Sequence, residues 1–298
     1  MSAGLKRAAM RDVVRAVVAR TLGWQPEAVD YAFGLDAVNA KMAVRGDRAR
    51  ARVRDRRRFK AAPVPDGDVG RLAPEGASGS LHGHMLRDPA TEGPVLKDGA
   101  LSAKIGGTVL SGRLAGAPIF TLALEERATC PASCAHWRSC YGNNMQWAHR
   151  YRHGPALEGV LVREIADLMA RHARILVRLH VLGDFYSERY VRLWGDLLAA
   201  HPGLNVFGFT AWAPDTPIGA ALVALRETHG LRFALRESGR GGAWGTFTVD
   251  FPTAKPRLGD AVVCPEQRMA IEAPERGVHC GSCGLCWAGS APIVFIEH

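Results

Sequence analysis

Apolar positions first recur at helical spacing in residues 5–22, LKRAAMRDVVRAVVARTL, where basic side chains fill the gaps and Gly23 stands ready to end the helix. A second helix is predicted from about Pro26 into a basic tract. From Ala61 to Gly99 the periodicity fades while Pro, Gly, Asp and Ser accumulate, which predicts a linker or irregular region. GTVLSGRLAGAPIFTLALE then reads as two short strands joined by a Gly-rich turn, the second ending just before Cys130.

Beyond the first cysteines the pattern alternates. Helices are predicted over 155–172, 187–200 and 216–229, each followed by a short apolar run: ILVRLHVL at 175–182, LNVFGFTA at 204–211 and LRFALRE at 231–237. AVVC at 261–264 and IVFIE at 293–297 finish the series. Continuous apolar strands separated by helices indicate βα units around a parallel sheet. The expected fold is α/β, a partial or complete (β/α) barrel over residues 100–298. A helical, basic extension (1–60) and the irregular region (61–99) precede it. Polar residues gather at the strand ends: His180, Gly183 and Asp184; Thr210, Trp212 and Asp215; Arg236, Glu237 and Ser238; Cys264. In a barrel or open sheet that edge carries the chemistry.

Composition adds two constraints. With 298 residues and 47% apolar content, the chain can bury a large core without crosslinks. The N-terminus lacks the apolar region of a signal peptide and no run of 18 apolar residues occurs, so a soluble cytoplasmic protein with no membrane partner is expected. In that compartment clustered cysteines are more often metal ligands than disulfides, and a total of seven would strand one thiol in a disulfide framework.

The charge of +9 is concentrated rather than spread. Between Lys41 and Lys60 stand ten Lys or Arg against Asp47 and Asp55, a local net of +8. Such a tract meets the backbone of DNA or RNA, or it is a solvated arm. Phe59 is its only aromatic residue, so it is no stacking platform for single strands.

The cysteines form two sets. HCGSCGLCW places Cys280, Cys283 and Cys286 at three-residue steps, and Cys264 is followed by Pro265, as the remote ligand of a ferredoxin-type cluster often is. A triplet plus one distant cysteine favours a [4Fe–4S] cube over zinc, which draws separated pairs, or over redox thiols. TCPASCAHWRSCYGNN holds Cys130, Cys134 and Cys140, and three thiolates leave one iron of a second cube open. His136 either completes that set or packs nearby; His82 and His84 of LHGH are metal-site or loop-packing residues.

TCPASCAHWRSCYGNN, RLHVLGDFYSERYVRLW and HCGSCGLCW resemble the GP88-like proteins of phages and bacteria, over roughly residues 100–298. That cysteine-rich family supplies a grouping rather than a mechanism. A second resemblance is to radical S-adenosylmethionine enzymes, whose C-x3-C-x2-C motif follows the first strand of a partial barrel. This chain keeps the first interval, Cys130 to Cys134, but spaces Cys140 five residues further and has Ser139 before it. The likeness implies an open-iron cluster at the sheet mouth, an auxiliary C-terminal cluster and S-adenosylmethionine as a candidate cofactor.

RLHVLGDFY is the strongest constellation without cysteine. Period two puts Arg178 and His180 on one strand face, and Gly183 permits a sharp exit that presents Asp184. The three are expected to converge on a substrate, with His180 as general acid or base near neutral pH; the alternative pairs Arg178 with a carboxylate and leaves His180 in the core. Asn143, Asn144, Gln146 and Trp147 are pocket-lining or helix-capping candidates. Arg236, Ser238 and the following GRGG turn are candidates for holding a cofactor phosphate. No dinucleotide fingerprint, HExxH motif or nucleophile elbow occurs.

Two functions are expected from these features. One is an iron–sulfur enzyme using an open-iron cluster for radical or Lewis-acid chemistry on a small molecule, served by an electron donor. The other is a nucleic-acid-binding protein whose cysteines hold structural metal.

Overall fold

The computed structural model describes residue 80 and residues 82–137, 140–249, 252–253 and 255–296, with the side chains of Asn143 and Asn144 excepted. The helices expected over 5–22 and from Pro26, the basic tract 41–60 and most of the irregular region lie outside the described residues.

Strands β1 (Leu86–Arg87), β2 (Lys97–Asp98) and β3 (Ile119–Thr121) come first, then the one-turn helix α1 (Glu126–Thr129) and strand β4 (Arg150–Tyr151). Three βα repeats follow: helix α2 (Pro155–Arg171) and strand β5 (Ile175–Leu179), helix α3 (Glu188–Ala200) and strand β6 (Leu204–Thr210), helix α4 (Pro217–His229) and strand β7 (Phe233–Ser238). The chain ends with β8 (Gly245–Val249), β9 (Arg257–Leu258), β10 (Ala261–Val263), α5 (Pro265–Glu272), α6 (Cys280–Cys283), α7 (Leu285–Ala288) and β11 (Ile293–Ile296).

Nine strands form one sheet in the order β2-β3-β5-β6-β7-β8-β11-β10-β9. Neighbours from β3 to β10 pair parallel, while β2 and β9 pair antiparallel at the two edges. The edges do not pair with each other, so the sheet is open: the α/β expectation holds, and a complete barrel is not formed by the described residues. No helix among them is long and apolar enough to cross a membrane.

The repeat boundaries follow from caps and burial. Ser187 Oγ accepts from the Tyr190 N–H at the start of α3, and Thr216 Oγ1 accepts from Gly219 N–H at the start of α4. Pro155 and Pro217 occupy the first turns of α2 and α4, where no N–H is needed. In β5 every residue except Arg178 is buried, as a strand covered on both faces requires. Gly208 is where β6 comes closest to β5: a Cβ there would stand 1.6 Å from the Leu179 carbonyl oxygen.

All three long helices pack on one face. Leu157, Leu161 and Ile165 of α2, Val191 and Trp194 of α3 and Leu222 of α4 share a core with Ile175, Val177, Leu179 and Val206. The alternate strand residues Leu176, Phe207 and Ala234 face the other way, where Ile105, Val109, Leu114 and Trp287 cover them. That cover is made of turns and the cysteine-bearing helices α6 and α7, not of long helices.

Two expectations before the repeats change. Of the two strands expected in GTVLSGRLAGAPIFTLALE, the first is reduced to a single bridge from Thr108 to Pro118, and the turn after it includes a 3-10 turn at Gly112–Leu114. From residue 82 the expected linker is part of the packed body. Glu164 of α2 accepts from the N–H groups of Val95 and Leu96, both buried, and β1 and β2 pair with β4 and β3.

Candidate functional site at the C-terminal edge of the sheet

Arg178 occupies the penultimate position of β5 and follows Leu176 onto the face away from the long helices. Its guanidinium lies over the Phe209 ring, 5.7 Å from the centroid. Its Nε is buried without a hydrogen-bond partner, and no ion pair or hydrogen bond joins the side chain to any other of the described residues. Among them, the carboxylate partner that a structural arginine would have is therefore missing. Arg178 is within electrostatic reach of Tyr141, next to the mid-chain cysteines, and of Cys280 and Cys286 in the C-terminal set.

His180 does not share that face. β5 ends at Leu179, and the ring of His180 turns into the helix-side core, against Phe185 and Tyr190, with Nε2 3.1 Å from the Tyr190 hydroxyl. Burial lowers its pKa to about 3, so it is neutral at physiological pH. This is the setting of a core histidine, and the expected convergence with Arg178 fails because the strand stops one residue too early to keep the alternation.

Asp184 does reach the edge. Gly183 takes a φ of 85°, with Thr129 and Leu124 packed where a Cβ would be, and turns the chain out of the sheet. The Asp184 N–H donates to Thr129 Oγ1; its Oδ1 accepts from Phe185 N–H and its Oδ2 from Ala211 N–H, at 2.8 and 2.7 Å. Burial nevertheless pushes the carboxyl up to about 7, outweighing these bonds and one from Thr210. Asp184 also raises the pKa of Cys130 and Cys134, which places the acid beside the mid-chain thiols.

Burial drives all three of those thiols upward, Cys130 well above its ordinary value and Cys134 to about 11. The N–H groups of His136 and Gly142 donate to Cys134 and Cys140 and offset part of this. The loop carrying them is braced from beneath. Arg150, fully buried, pairs with Glu126 at 2.9 Å and donates to the carbonyls of Gly142, Met145 and Ala148. Glu125 holds His153 at 2.6 Å, and Arg127 stacks on Trp137 and donates to its carbonyl oxygen. Sequence reasoning passed over Glu125, Glu126, Arg127 and Arg150. For the first three the signal was available: a run of charges two residues before Cys130, in a segment that follows the apolar stretch 119–124. His136 Nε2 lies 3.3 Å from Thr248 Oγ1.

Arg236 was expected near a cofactor, but its donors are committed elsewhere. They reach the carbonyl oxygens of Leu285, Cys286, Gly289 and Ala291, while the guanidinium stacks on Trp244 at 5.6 Å. It clamps the C-terminal cysteine segment to β7. In the GRGG turn, Gly239 to Gly242, the Arg240 N–H donates to the Thr246 carbonyl oxygen, and just beyond it the N–H groups of Trp244 and Gly245 donate to the carbonyls of Ser290 and Gly242. Ser238 ends β7, half-buried opposite Thr246. Asn144 belongs to the 3-10 turn Tyr141–Asn144.

The cysteine sets overturn the metal expectation. Among the described residues, no group of three or more His, Cys, Asp or Glu side chains is placed to hold a metal ion. Cys264, Cys280, Cys283 and Cys286 border a cavity of only about 20 Å³, room for a water rather than an iron–sulfur cube. Spacing along the chain brought the thiols into two neighbourhoods but did not aim them at common points. The two [4Fe–4S] clusters, S-adenosylmethionine bound through one of them, the iron–sulfur enzyme and the alternative built on structural metal sites fall together, for want of a ligand set.

The family model described as Gene product 88 matches residues 97–289, from β2 through the last cysteine-bearing helix. The Gene 88 protein of Mycobacterium phage L5 is 28% identical over 147 residues, which are 47% of this chain and 62% of that protein. The match thus spans less than two thirds of that relative's length. No solved structure matches the chain. With the family model covering the edge strand, the βα repeats and both cysteine sets, the chain belongs to the Gene product 88 family.

Proposed function

We propose that this protein binds a small anionic molecule at the C-terminal edge of the sheet, with Arg178 as the anchor. One observation carries the reading: a half-buried guanidinium at the end of a central strand with no carboxylate or hydrogen-bond partner among the described residues. Removing a cation from water is costly unless it is paired, and a guanidinium fork is shaped for carboxylate or phosphate oxygens. Tyr141, 44% exposed, and the mid-chain thiols border the same edge. Asp184, with its carboxyl near 7, supplies a group that exchanges a proton close to neutral pH beside them. His180 serves by packing. A nucleic-acid partner for residues 41–60 is supported by their net charge alone.

A thermal-shift series with carboxylates, sulfonates and phosphates tests the anchor. A true ligand at about 100 times its Kd adds about 2.7 kcal/mol, which raises the melting temperature by roughly 5–10 °C in a domain of this size. Arg178→Met should abolish the shift and Arg178→Lys reduce it. The ligand-free stability of Arg178→Met should change by no more than about 1 kcal/mol, the worth of the lost contact with Phe209. A ligand that still shifts Arg178→Met fully would remove the basis of the proposal.

A further inference from the structure

The C-terminal cysteines form no metal ligand set, yet all four are free thiols and border one cavity of about 20 Å³. A single buried cysteine packs as a small apolar side chain, and Cys264, just past β10, is such a residue at 8% exposure. Cys280 and Cys283 differ from it. Both are half-buried and open to a small reagent, and they are the first and last residues of α6. Helical geometry sets their Cα atoms about 5 Å apart, inside the span of roughly 4.4–6.8 Å that a disulfide bridges, and positions i and i+3 share a helix face. The other intervals lack this relation. Gly284, at a φ of 70°, breaks the helix before Cys286, and Cys264 comes from a separate segment.

The backbone beneath the pair is fixed. The N–H groups of Cys280 and Gly281 donate to the carbonyls of Lys104 and Ile105, at 2.8 and 2.9 Å, and the Leu110 N–H donates to the Gly281 carbonyl oxygen. Gly281 sits so close to this turn that a Cβ would stand 2.3 Å from the Thr108 carbonyl oxygen. The two thiols are thus held side by side by main-chain bonds that do not involve sulfur. Their surroundings are unequal. Burial raises the pKa of both, and Glu266, which Lys104 pairs with at 3.3 Å, opposes ionisation at each. Arg178 and Lys104 favour an ionised Cys280, whereas at Cys283 the help comes from the Leu285 N–H. Two cations within reach make Cys280 the better attacking thiol of the pair.

We infer that Cys280 and Cys283 form a thiol–disulfide exchange site for a low-molecular-weight disulfide. The Cys280 thiolate attacks one sulfur of the small disulfide, whose S–S bond breaks as the first small thiol leaves with a proton from solution. Cys283, losing its own proton, then attacks the Cys280 sulfur, closes the bond between the two residues and releases the second small thiol. Two electrons and two protons pass from the protein to the small disulfide, and the reverse sequence reduces the pair. The size of the reactant follows from the setting, since half-buried sulfurs beside a cavity with room for one water are reached by a small disulfide more readily than by a protein surface.

Equilibration of the full chain in anaerobic mixtures of oxidised and reduced glutathione, an acid quench, labelling with N-ethylmaleimide in urea and peptide mass spectrometry test this. As the mixture becomes more oxidising, the wild-type protein should lose two labels, those of Cys280 and Cys283, and the peptide that holds both should lose two hydrogens. Reduced glutathione in excess should restore both labels. Cys283→Ser removes the resolving thiol, so one glutathione should remain attached at Cys280. Full labelling of all four C-terminal cysteines at the most oxidising ratio would overturn the inference, as would a bond through Cys264 or Cys286 in place of the 280–283 pair. An adduct on any cysteine other than Cys280 in Cys283→Ser would overturn the assignment of the attacking thiol. The wild-type linkage is read without any variant and does not depend on the anion proposed at Arg178.

Discussion

Replacing Asp184 by Asn tests the electrostatics of the C-terminal edge. In the folded protein its carboxyl titrates near 7, against an ordinary value of 3.8, because burial outweighs the backbone N–H groups it accepts from. Between those two values the folded state holds a proton that the unfolded chain has released. Stability therefore falls as pH rises, by about 1.4 kcal/mol per pH unit. Across a window of about three units the change is on the order of 4 kcal/mol, and above pH 7 both states are ionised and the term is constant. The Asp184→Asn protein has no such term. It carries a roughly constant loss instead, about 1–3 kcal/mol, because the amide offers one acceptor to the two donors Phe185 and Ala211. Urea unfolding of both proteins from pH 4 to 8 gives the difference curve. The expected curve, wild type minus Asp184→Asn, declines by about 4 kcal/mol up to pH 7 and then levels. A difference curve flat to within about 1 kcal/mol would mean that Asp184 ionises as an exposed carboxylate does, and the proton-exchange role assigned to it would fail.

Two further outcomes follow from the same neighbourhood. Arg150→Met strands the Glu126 carboxylate in a buried site and should cost about 3–5 kcal/mol, whereas Glu126→Gln with Arg150→Met should recover part of that loss; additive single losses in denaturant unfolding would contradict a coupled pair. The Cys134 thiol, raised from 9.0 to about 11, should be alkylated by iodoacetamide at pH 7.5 about a hundredfold more slowly in the native protein than in urea. Peptide mass spectrometry reads the rate, and equal rates would refute the burial argument.

The βα repeats were legible because their signal is long. ILVRLHVL, LNVFGFTA and the three helices between Pro155 and His229 carry enough apolar positions in register to fix type and, within a residue or three, extent. β1, β2, β4 and β9 have two residues each, too short for any period to register, and β8 follows β7 after only six residues, a spacing that suggests a hairpin although the pair is parallel. The Cys-x2-Cys-x2-Cys run correctly placed the chain in its family but not its chemistry: family likeness resides in residue order, metal binding in where the sulfurs point. Arg178 and His180 show the limit at the smallest scale. A period-two argument holds only while the strand continues, and nothing in RLHVLGDFY marks Leu179 as its last residue. Arg150 was missed for a different reason, since a buried charge in contact with its partner looks in sequence like a surface residue.

One side chain has a mechanical consequence. Arg236 is fully buried and gathers four carbonyls of residues 285–291 onto β7, on the face that has no long helix. It works there as a rivet: the long helices are secured by distributed apolar contacts, whereas the segment after the last cysteine is gathered by one guanidinium, beside the packing of Trp287 on Phe207 and the backbone bonds of residues 280 and 281 to 104, 105 and 110. Replacing that one side chain would leave four carbonyls of a single segment short of a donor at once.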